Sequence, residues 1–555
     1  MPTLFSHIYT FRHNTAVIND SGEDYSYAKL YADAIVCTEQ LGQESKLVFI
    51  NARNNYSTIV AYVACMLGGH PVLLVAADNH QQLEELAYSY QPNFIVNTHT
   101  DTPEFKVYNP KTIQLHDELC LLLSTSGSTG SPKLVKISHS NIISNSDAII
   151  RYLKVTNTDR AITSLPIHYS YGLSIVNIHL RVGASIVLTG LSVTNENFWN
   201  IYKQFSVTSF SGVPYSFQAL FSVNFDFSSA PSTRYVTQAG GKLSQNVILH
   251  FANQLKLTNK LFFIMYGQTE ASPRISYLPP EQVFEHSDCI GVAIHGGNLT
   301  LHDDKEKEIT DSGVAGELIY RGPNIMMGYA LSQNDFASME YMEALHTGDI
   351  ALRKSNGLFK IIGRVSRFVK PFGIRVNLDD IQNKLSNTDA IVAVTGNDEK
   401  ILVVIQTEDK TLISSISHQI SLSYTLPPEI FQIEMVSTIP RLSNDKFDYK
   451  YLLKLFVEGV KQKSSTRLFL GEFKKEVLIL LGLAEKPWDS VADIYSSILN
   501  NPTCDDLSTF RSLSGDSLSY VAVSSALEQY LGNLPDNWHN MSIQSLQDSR
   551  YGNEF

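Results

Sequence analysis

The sequence has few cysteines and no excess of basic charge. Its 555 residues include five cysteines, at positions 37, 65, 120, 289 and 504, with no CxxC pair and no Cys/His zinc spacing. This scatter predicts free thiols in a reducing compartment and argues against disulfides or a zinc site. The net charge is −12 and there is no basic stripe, which argues against a protein that binds nucleic acids.

The sequence also lacks a signal-peptide pattern and an unbroken membrane span. Its first residues show no charged segment followed by an apolar run. Residues 58–77 are long and apolar enough to suggest a span, but the sequence Gly-Gly-His-Pro at 68–71 divides them. We interpret residues 58–77 as a buried helix, a turn and a buried strand, and we expect a cytoplasmic protein.

The sequence has the length and patterning of a multidomain globular protein. With 555 residues, 43% of them hydrophobic and 18% charged, it predicts about two to four domains. A helical pattern covers residues 27–41, and the predicted strands lie at 47–50, 71–75, 94–96, 160–165, 184–188, 209–211 and 261–265. This alternation predicts an α/β domain with parallel sheets, and shorter strands between 290 and 363 predict a β-rich subdomain.

The pattern changes near residue 364. Two predicted strands and a predicted helix, which indicate a small α+β unit, lie at 391–394, 401–405 and 412–422. The polar residues 461–465 predict a linker. Beyond it the predicted helices lie at 469–483, 491–499 and 517–530. Residues 467–555 hold six Lys and Arg against twelve Asp and Glu, a net charge of −6, which is half of the charge of the whole chain.

The most informative segment is TSGSTGSPK at residues 125–133, which we call the phosphate loop. Glycines allow close approach of the backbone, while hydroxyl groups, N–H groups and a terminal lysine suit an oxyanion ligand such as a nucleoside triphosphate. The loop is not a Walker A motif, because Ser131 and Pro132 stand where Gly-Lys is needed. The alternative is a Ser/Gly-rich turn without a ligand.

Further motifs follow the phosphate loop in a fixed order. They are YGQTE at 266–270, GEL at 316–318 with GY at 328–329, TGD at 347–349, GR at 363–364 with KPFGIRV at 370–376, and PR at 440–441 with KFD at 446–448. Together with the loop, these segments resemble the signature motifs of the adenylate-forming (AMP-binding) superfamily. That superfamily includes acyl-CoA synthetases and the adenylation domains of non-ribosomal peptide synthetases.

The segment FRSLSGDSL at 510–518 resembles the site of carrier domains at which a serine receives 4'-phosphopantetheine. In this resemblance Ser517 is the attachment residue, and Ser514 replaces a glycine of the motif. An acidic surface and predicted flanking helices support this interpretation. The alternative is a generic acidic helical tail.

The two resemblances imply the organisation of the whole chain. Residues 1–364 would form a large α/β AMP-binding domain with parallel sheets and a β-rich subdomain. Residues 365–456 would form a small, mobile α+β lid domain, with Ser366 at its hinge and residues 457–466 as the linker that follows. Residues 467–555 would form an all-α carrier-protein helical bundle.

The superfamily resemblance implies an acid–thiol ligase that uses ATP and Mg²⁺. A carboxylic acid would be activated as acyl-AMP and then passed to the thiol of the phosphopantetheine arm. Lys446 would neutralise charge at the reacting carboxylate and phosphate, Thr269 would contact the α-phosphate, and Glu270 would help to hold Mg²⁺. Gly373 would line the path of the arm during the thiolation step.

The resemblance also implies the nucleotide contacts. Tyr266 would stack on adenine, and Asp349 would bind the ribose with support from Arg364. Gly240 and Gly241 would allow close approach of the backbone, although they could also form a plain strand-to-helix turn. The implied nucleotide-binding residues are Thr125, Ser126, Gly127, Ser128, Thr129, Gly130, Lys133, Gly240, Gly241, Tyr266, Gly267, Asp349 and Arg364.

The acyl pocket departs from the superfamily pattern. In the segment LPIHYSYG at 165–172, Tyr169 stands where the superfamily places a histidine, and His168 is displaced by one residue. We predict a substrate pocket formed by His168, Tyr169 and Gly241, although His168 could simply lie in a turn. Residues 166–175 contain no acid, which counts against an amino-acid substrate. Tyr171 and Tyr215, together with Tyr169, would narrow the pocket for a small acid.

Three functions remain open at the level of sequence. In the first, the acyl group is loaded on the protein's own carrier, which implies a phosphopantetheinyl transferase and a downstream acyltransferase or condensing enzyme as partners. In the second, free coenzyme A receives the acyl group and the carrier serves another enzyme. In the third, the protein is a non-catalytic scaffold that binds nucleotide. The presence of Lys133, Glu270, Asp349 and Lys446 argues against the third.

Overall fold

The structure is a computed structural model in which part of the chain is described. The described residues are 3–124, 133–369, 376–385, 391–397, 400–407, 431–441, 447–449, 451–454, 488–499, 505–510, 523, 526–527, 530–531, 535, 538 and 541–551. The chain divides into two compact units, Met1–Phe447 and Asp448–Phe555.

Helices and strands alternate along the first unit, as the sequence predicts. The described helices are α1 Tyr27–Leu41, α2 Tyr56–Gly68, α3 His80–Tyr90, α4 His139–Leu153, α5 Ser170–Arg181, α6 Glu196–Gln204, α7 Pro214–Ser222, α8 Gln245–Leu257, α9 Val283–His286, α10 Leu378–Leu385 and, in the second unit, α11 Val491–Ile498 and α12 Ile543–Tyr551.

The described strands all lie in the first unit. They are β1 Thr15–Ile18, β2 Asp24–Ser26, β3 Val48–Ala52, β4 Val72–Ala76, β5 Phe94–Asn97, β6 Glu104–Val107, β7 Leu119–Ser124, β8 Leu134–Ser138, β9 Arg160–Ile162, β10 Ser185–Val187, β11 Ser209–Gly212, β12 Tyr235–Gln238, β13 Leu261–Gly267, β14 Arg274–Leu278, β15 Val292–Ala293, β16 Asn298–His302, β17 Ala315–Arg321, β18 Tyr329–Ala330, β19 Leu345–Arg353, β20 Phe359–Arg364, β21 Phe368–Val369, β22 Val376–Asn377, β23 Ile391–Gly396, β24 Ile401–Gln406 and β25 Phe431–Val436.

The apolar stretch at residues 58–77 forms a buried helix, a turn and a buried strand, which confirms the interpretation of the sequence. Asn55 caps α2 by accepting a hydrogen bond from the backbone N–H of Thr58. Gly69 ends the helix in the left-handed conformation, with φ of 69°. Within the described residues, no helix has the length and apolar character needed to cross a membrane.

The sheets are mixed, so the prediction of parallel sheets is correct only in part. The largest sheet has the order β18-β8-β7-β4-β3-β5-β6. Its pairs β3–β4, β3–β5 and β4–β7 are parallel, whereas β5–β6, β7–β8 and β8–β18 are antiparallel. The parallel pairs are connected through helices, while short connections fold β6 and β8 back as antiparallel neighbours.

A second sheet, with the order β11-β12-β13-β14-β15, carries much of the candidate site. Its first three strands are parallel, and their register aligns Gly212 with Gln238 and Gln238 with Ile264. The carboxyl ends of β11, β12 and β13 therefore meet at one edge. In open α/β sheets this is the edge where ligands bind.

The β-rich subdomain that the sequence predicts for residues 290–363 is confirmed. An antiparallel sheet with the order β16-β17-β19-β20 draws its four strands from residues 298–364. Ser366 follows it in a short 3₁₀ turn, Val365–Arg367. The predicted strands at 391–394 and 401–405 are also confirmed, as β23 and β24.

The carrier bundle remains a prediction. In the second unit, α11 and α12 contribute to an apolar cluster that includes Ile494, Phe510 and Leu546. The predicted linker and the predicted helices at 412–422 and 469–483 lie outside the described residues, as does Ser517.

Candidate active site

The phosphate loop connects two neighbouring antiparallel strands. The register of β7 and β8 pairs Ser124 with Leu134, so the strands hold the two ends of the loop together. Residues 125–132 lie outside the described part of the chain, and Lys133 is described. The arrangement is strand–loop–strand. It therefore differs from a Walker A motif, in which the loop leads into a helix, as the sequence also indicates.

Lys133 and Glu270 meet around the ring of Tyr329. The ammonium nitrogen of Lys133 lies 3.9 Å from the centroid of that ring, in a cation–π contact. The Tyr329 hydroxyl donates a hydrogen bond of 2.8 Å to Oε1 of Glu270. Tyr329 thus links the end of the phosphate loop to the acid predicted to hold Mg²⁺. In the sequence, Tyr329 belongs to the GY motif, and no role is predicted for it there.

Glu270 stands in a rigid turn at the ligand edge of the second sheet. Together with Thr269 it belongs to the 3₁₀ turn Thr269–Ala271, which follows β13 after one residue. The backbone N–H of Met326 donates to the carbonyl of Glu270 at 3.0 Å, and Asn324 Nδ2 donates to the carbonyl of Ala271 at 2.6 Å. These bonds hold the backbone of the turn, while the Tyr329 hydroxyl contacts the Glu270 carboxylate itself.

The donor set around Glu270 fits a magnesium ion bound together with a triphosphate. Mg²⁺ is typically held in such sites by one or two carboxylates, with phosphate and water oxygens completing its octahedron. Glu270 is half-buried, and Oε2 makes no hydrogen bond or ion pair among the described residues. The same residues contain no cluster of three acidic, His or Cys ligands, so a dedicated all-protein metal cage is absent from that part of the chain.

Tyr266, Asp349 and Arg364 form a second group. Asp349 on β19 is directly opposite Arg364 on β20, and Arg364 Nε contacts Asp349 Oδ1 at 2.9 Å. The hydroxyl of Tyr266, at the end of β13, donates a hydrogen bond to Asp349 Oδ2. This bond joins the second sheet to the β-rich sheet. The structure therefore brings together three residues that the sequence assigns to one nucleotide site.

The TGD motif orients the carboxylate of Asp349. Thr347 Oγ1 donates to the carbonyl of Leu318 at 2.7 Å and accepts from the backbone N–H of Asp349 at 3.1 Å. Gly348 has φ of 69°, a conformation that favours glycine. Its N–H donates to Oε1 of Glu317 at 3.2 Å. The bend at Gly348 and the bonds around it explain why these three residue types occur in this order.

Charge and burial fix the protonation states of this group. Burial first, and then the Asp349 carboxylate, hold the pKa of Tyr266 well above its usual value, so Tyr266 stays a donor. The same carboxylate raises the pKa of Arg364. Asp349 is 4% exposed, whereas the Arg364 side chain is 61% exposed. A carboxylate has about four acceptor positions, so Asp349 can still accept bonds from ribose hydroxyl groups.

The glycines predicted at the site lie where a side chain would collide. Gly240 has φ of 87°, and a β-carbon there would lie 2.7 Å from the hydroxyl oxygen of Tyr169. At Gly267 a β-carbon would lie 2.0 Å from the carbonyl oxygen of Pro273. Gly241 accepts a hydrogen bond from Gln238 Nε2 through its carbonyl, at 2.9 Å. Gly240 and Gly241 follow β12, at the same sheet edge as Tyr266.

The predicted pocket residues are only partly brought together. Tyr169 lies beside Gly240, and its ring meets Tyr171 edge-on at 6.4 Å between centroids. His168 makes no hydrogen bond or ion pair among the described residues, and burial lowers its pKa. Tyr215 is 58% exposed on α7 and does not line the small cavity beside Tyr171, and its predicted role in narrowing the acyl pocket stays a prediction.

Several predicted residues lie outside the described part of the chain, so their assigned roles stay predictions. They are Thr125, Ser126, Gly127, Ser128, Thr129, Gly130, Gly373, Lys446 and Ser517. One pocket residue was missed at the level of sequence. Arg274, four residues after Glu270, is a buried arginine beside Tyr171, and its strand β14 carries no alternating pattern that could have indicated it.

The chain is similar in sequence to known proteins. Residues 89–330 match the family model described as AMP-binding enzyme. A long-chain-fatty-acid–CoA ligase of Salmonella typhimurium is 28% identical over 308 residues, covering 52% of this chain and 53% of that protein. The anguibactin system regulator of Vibrio anguillarum is 25% identical over 546 residues, covering 90% of this chain and 50% of that protein.

Solved structures show the same fold. The o-succinylbenzoate CoA synthetase MenE of Bacillus subtilis, in complex with its acyl-adenylate intermediate, has a TM-score of 0.67 at 19% identity and covers 81% of this chain and 98% of its own. McyG A-PCP complexed with phenylalanyl-adenylate has a TM-score of 0.64 at 18% identity, covering 99% of this chain and 98% of its own.

Residues 89–330 are therefore similar to AMP-binding enzymes, and the solved structures share the fold of this chain. The chain spans about half the length of the first curated relatives that it matches.

Proposed function

We propose that this protein uses ATP and Mg²⁺ to convert a small carboxylic acid to its acyl-AMP, and then transfers the acyl group to a phosphopantetheine arm on its own Ser517. The observation that carries the first half is the joint placement of the Tyr266–Asp349–Arg364 group and the Lys133–Tyr329–Glu270 group. Both lie around the end of β13 and its following turn.

The first group supports the binding of a nucleoside. Asp349 is held from both sides, so its remaining lone pairs point in fixed directions and suit two vicinal hydroxyl groups. Tyr266 presents a ring next to this carboxylate, and a ring beside a ribose site suits stacking on a base. Gly240 and Gly241 lie at the same edge, where the absence of a β-carbon at Gly240 lets the Tyr169 hydroxyl pack against the turn.

The second group supports the binding of phosphates. Lys133 supplies positive charge at the end of the phosphate loop, and Glu270 supplies one carboxylate oxygen with no contact among the described residues. A magnesium ion bound by Glu270 would neutralise part of the phosphate charge. Solved relatives include MenE of Bacillus subtilis in complex with ATP and magnesium ion.

The proposed chemistry has two balanced steps. An oxygen of the acid's carboxylate attacks the α-phosphorus of ATP, and pyrophosphate leaves with the electrons of the broken P–O bond. The sulfur of the arm, after losing its proton, then attacks the acyl carbon, and AMP leaves. Lys446 would stabilise the charge of the first step, and Gly373 would line the approach of the arm in the second.

The extent of the chain supports a carrier at its C-terminus. The match to McyG A-PCP covers 99% of this chain, whereas the match to MenE covers 81%. A D-alanine–D-alanyl carrier protein ligase of Listeria monocytogenes is also similar, at 25% identity over 361 residues. Ser517 as the attachment site requires a phosphopantetheinyl transferase, and the loaded acyl group requires an acyltransferase or a condensing enzyme.

The alternative is an acyl-CoA synthetase that uses free coenzyme A. The similarity to long-chain-fatty-acid–CoA ligases favours this possibility. It predicts that acyl-CoA forms at the same rate in the wild-type protein and in Ser517→Ala.

The test is the intact mass of the protein after treatment with a broad phosphopantetheinyl transferase and then with Mg-ATP and a pool of acids. We expect one arm, followed by one acyl increment on it. Ser517→Ala should gain neither, whereas Ser514→Ala, a serine of the same motif, should gain both. An arm on Ser517→Ala would refute the attachment site, and an arm without any acyl increment from a broad pool would refute self-loading.

A further inference from the structure

Arg274 is a buried cation without an internal counter-charge in the described structure. It begins β14, and only 2% of the residue is exposed. No acidic side chain among the described residues forms a salt bridge with it, and its Nε has no hydrogen-bond partner there. Burying a charge is costly unless an opposite charge and hydrogen bonds compensate it.

The guanidinium lies in an aromatic environment. It is 4.9 Å from the centroid of the Tyr171 ring, in a cation–π contact. This contact stabilises the charge only in part, because a ring face is a much weaker partner than a carboxylate. The N–H group at Nε therefore remains available to an anionic group that enters from outside.

Arg274 lines a small cavity between α4, α5 and the strands β11 to β14. Other lining residues are Tyr171, His179, Tyr235, Thr237 and Met265. The cavity offers about 10 Å³ for the centre of a water molecule, which is room for about one water. No acidic residue lines it.

A second buried polar group in the cavity wall is also incompletely bonded. His179 is 1% exposed, and its Nδ1 lies 2.8 Å from the carbonyl oxygen of Ile175, to which it donates. Its Nε2 has no partner among the described residues. Burial lowers the pKa of His179, so this nitrogen is an acceptor. A carboxylate, which only accepts hydrogen bonds, would bond to Arg274 and not to His179, whereas a purely apolar acyl chain would leave the Nε N–H of Arg274 without an acceptor.

The cavity lies near the Gly240–Gly241 turn of the candidate site. The hydroxyl of Tyr171 is 2.7 Å from Thr237 Oγ1 on β12, three residues before Gly240. The Tyr171 ring also contacts Tyr169, whose hydroxyl lies next to Gly240. Tyr169 and Tyr171 therefore connect the Gly240–Gly241 turn to Arg274 through successive side-chain contacts.

We propose that Arg274 recognises a second carboxylate on the acid substrate, so that the protein activates a short dicarboxylic acid. This inference rests on the proposed function. One carboxylate reacts beside Gly240 and Gly241, and the distal carboxylate pairs with Arg274. The small cavity restricts the chain to a few carbons, and Met265, a flexible side chain in its wall, can change rotamer to admit the distal group.

The same arrangement excludes other substrate classes. An amino-acid substrate would place its α-ammonium group near this cavity, whose lining contains no acidic residue to pair with it. The positive charge of Arg274 would repel that group. A long fatty acyl chain would have to bury its methylene groups against an unpaired guanidinium. Both exclusions follow from the sign of the single charge that lines the cavity.

The test is acid-dependent exchange between ATP and labelled pyrophosphate, with acids paired by length. Butanedioic acid is compared with butanoic acid, and pentanedioic acid with pentanoic acid. We expect wild-type kcat/KM to favour the dicarboxylic member of a pair at least about tenfold, because a hydrogen-bonded charge pair in a site gives discrimination of this order or more. Preference of the wild-type protein for the monocarboxylic member would overturn the inference.

Substitutions separate recognition from folding. Arg274→Met should raise the KM for the dicarboxylic acid about 100-fold. Its activity on the monocarboxylic acid should stay the same or increase. Arg274→Lys, which keeps the charge, should retain part of the preference. Equal losses on both acids, with a lowered thermal transition, would show a structural role and contradict the inference. If Arg274→Met fails to fold, the wild-type preference alone decides.

Failure of the inference is distinguishable from failure of the proposed function. If only monocarboxylic acids support exchange, the proposed formation of acyl-AMP stands, and only the proposed role of Arg274 is refuted. The absence of exchange with every acid in the panel, while ATP still binds, would overturn the proposed activation of an acid and the inference with it.

Discussion

At the scale of single residues, the site depends on two tyrosine hydroxyl groups that orient carboxylates. Tyr266 donates to Asp349, and Tyr329 donates to Glu270. Both phenols have a pKa raised by burial and by the neighbouring carboxylate, so both remain donors around neutral pH. Removing one hydroxyl group changes the direction of a carboxylate without removing its charge.

Tyr266→Phe is expected to raise the KM for ATP about tenfold, because a hydrogen bond to a charged group contributes roughly 1.5–3 kcal/mol. The measurement is ATP-dependent pyrophosphate exchange at saturating acid. Tyr202→Phe removes another buried hydroxyl, which bonds to Thr233, and serves as the control with unchanged KM. An unchanged KM in Tyr266→Phe would contradict the nucleoside role of this group.

Tyr329→Phe is expected to raise the Mg²⁺ concentration needed for half-maximal exchange about three- to tenfold, because Glu270 loses its orienting donor. The ring, and with it the contact to Lys133, is retained. The measurement is a magnesium titration at fixed ATP. If the half-maximal Mg²⁺ concentration stays at the wild-type value, Glu270 does not act as the metal ligand.

At the scale of elements, the sequence predicts those helices and strands whose ends carry local signals. The predicted helix at 27–41 coincides with α1, because Ser26 caps its start and Gly42 follows its end. The predicted strand at 160–165 is too long, since β9 ends at Ile162. The antiparallel β7–β8 pair was missed, because strand pairing depends on the tertiary fold and leaves no local pattern.

The turn after β12 offers a test at this scale. Gly240→Ala and Gly313→Ala both place an alanine at positive φ, near 87° and 81°, and each should lose about 1–2 kcal/mol of stability. Only the β-carbon at Gly240 meets another group, the Tyr169 hydroxyl; none lies within 4 Å at Gly313. We therefore expect a higher KM for the acid only in Gly240→Ala, measured beside the thermal transition. An equal KM in both variants would remove this turn from the acid site.

At the scale of the whole molecule, ordered motifs predict the superfamily and most of the described site. The contact between Tyr266 and Asp349 joins residues 83 positions apart, and it follows from the superfamily resemblance and not from spacing. Arg274 was not predicted, because an arginine in a short strand gives no sign of whether it is buried. Tyr215 was assigned to the pocket by residue type, and this assignment stays a prediction.

The two proposed half-reactions occur one after the other, so a substitution at the carrier site should affect only the second of them. Ser517→Ala should retain acid-dependent pyrophosphate exchange at the wild-type rate, because the arm takes part only after acyl-AMP has formed. It should lose covalent loading completely. Loss of exchange in Ser517→Ala, with Ser514→Ala unaffected, would contradict the independence of the first half-reaction.

Formation of an acyl-AMP by this protein can be tested through acid-dependent pyrophosphate exchange in Lys446→Ala. Exchange is expected to fall at least about 100-fold, because a charge-stabilising group is lost, while binding of ATP stays within about threefold of wild type. Lys450→Ala, a nearby lysine outside the motif, is the matched control. Exchange near the wild-type rate in Lys446→Ala would contradict the proposed formation of acyl-AMP with the help of Lys446.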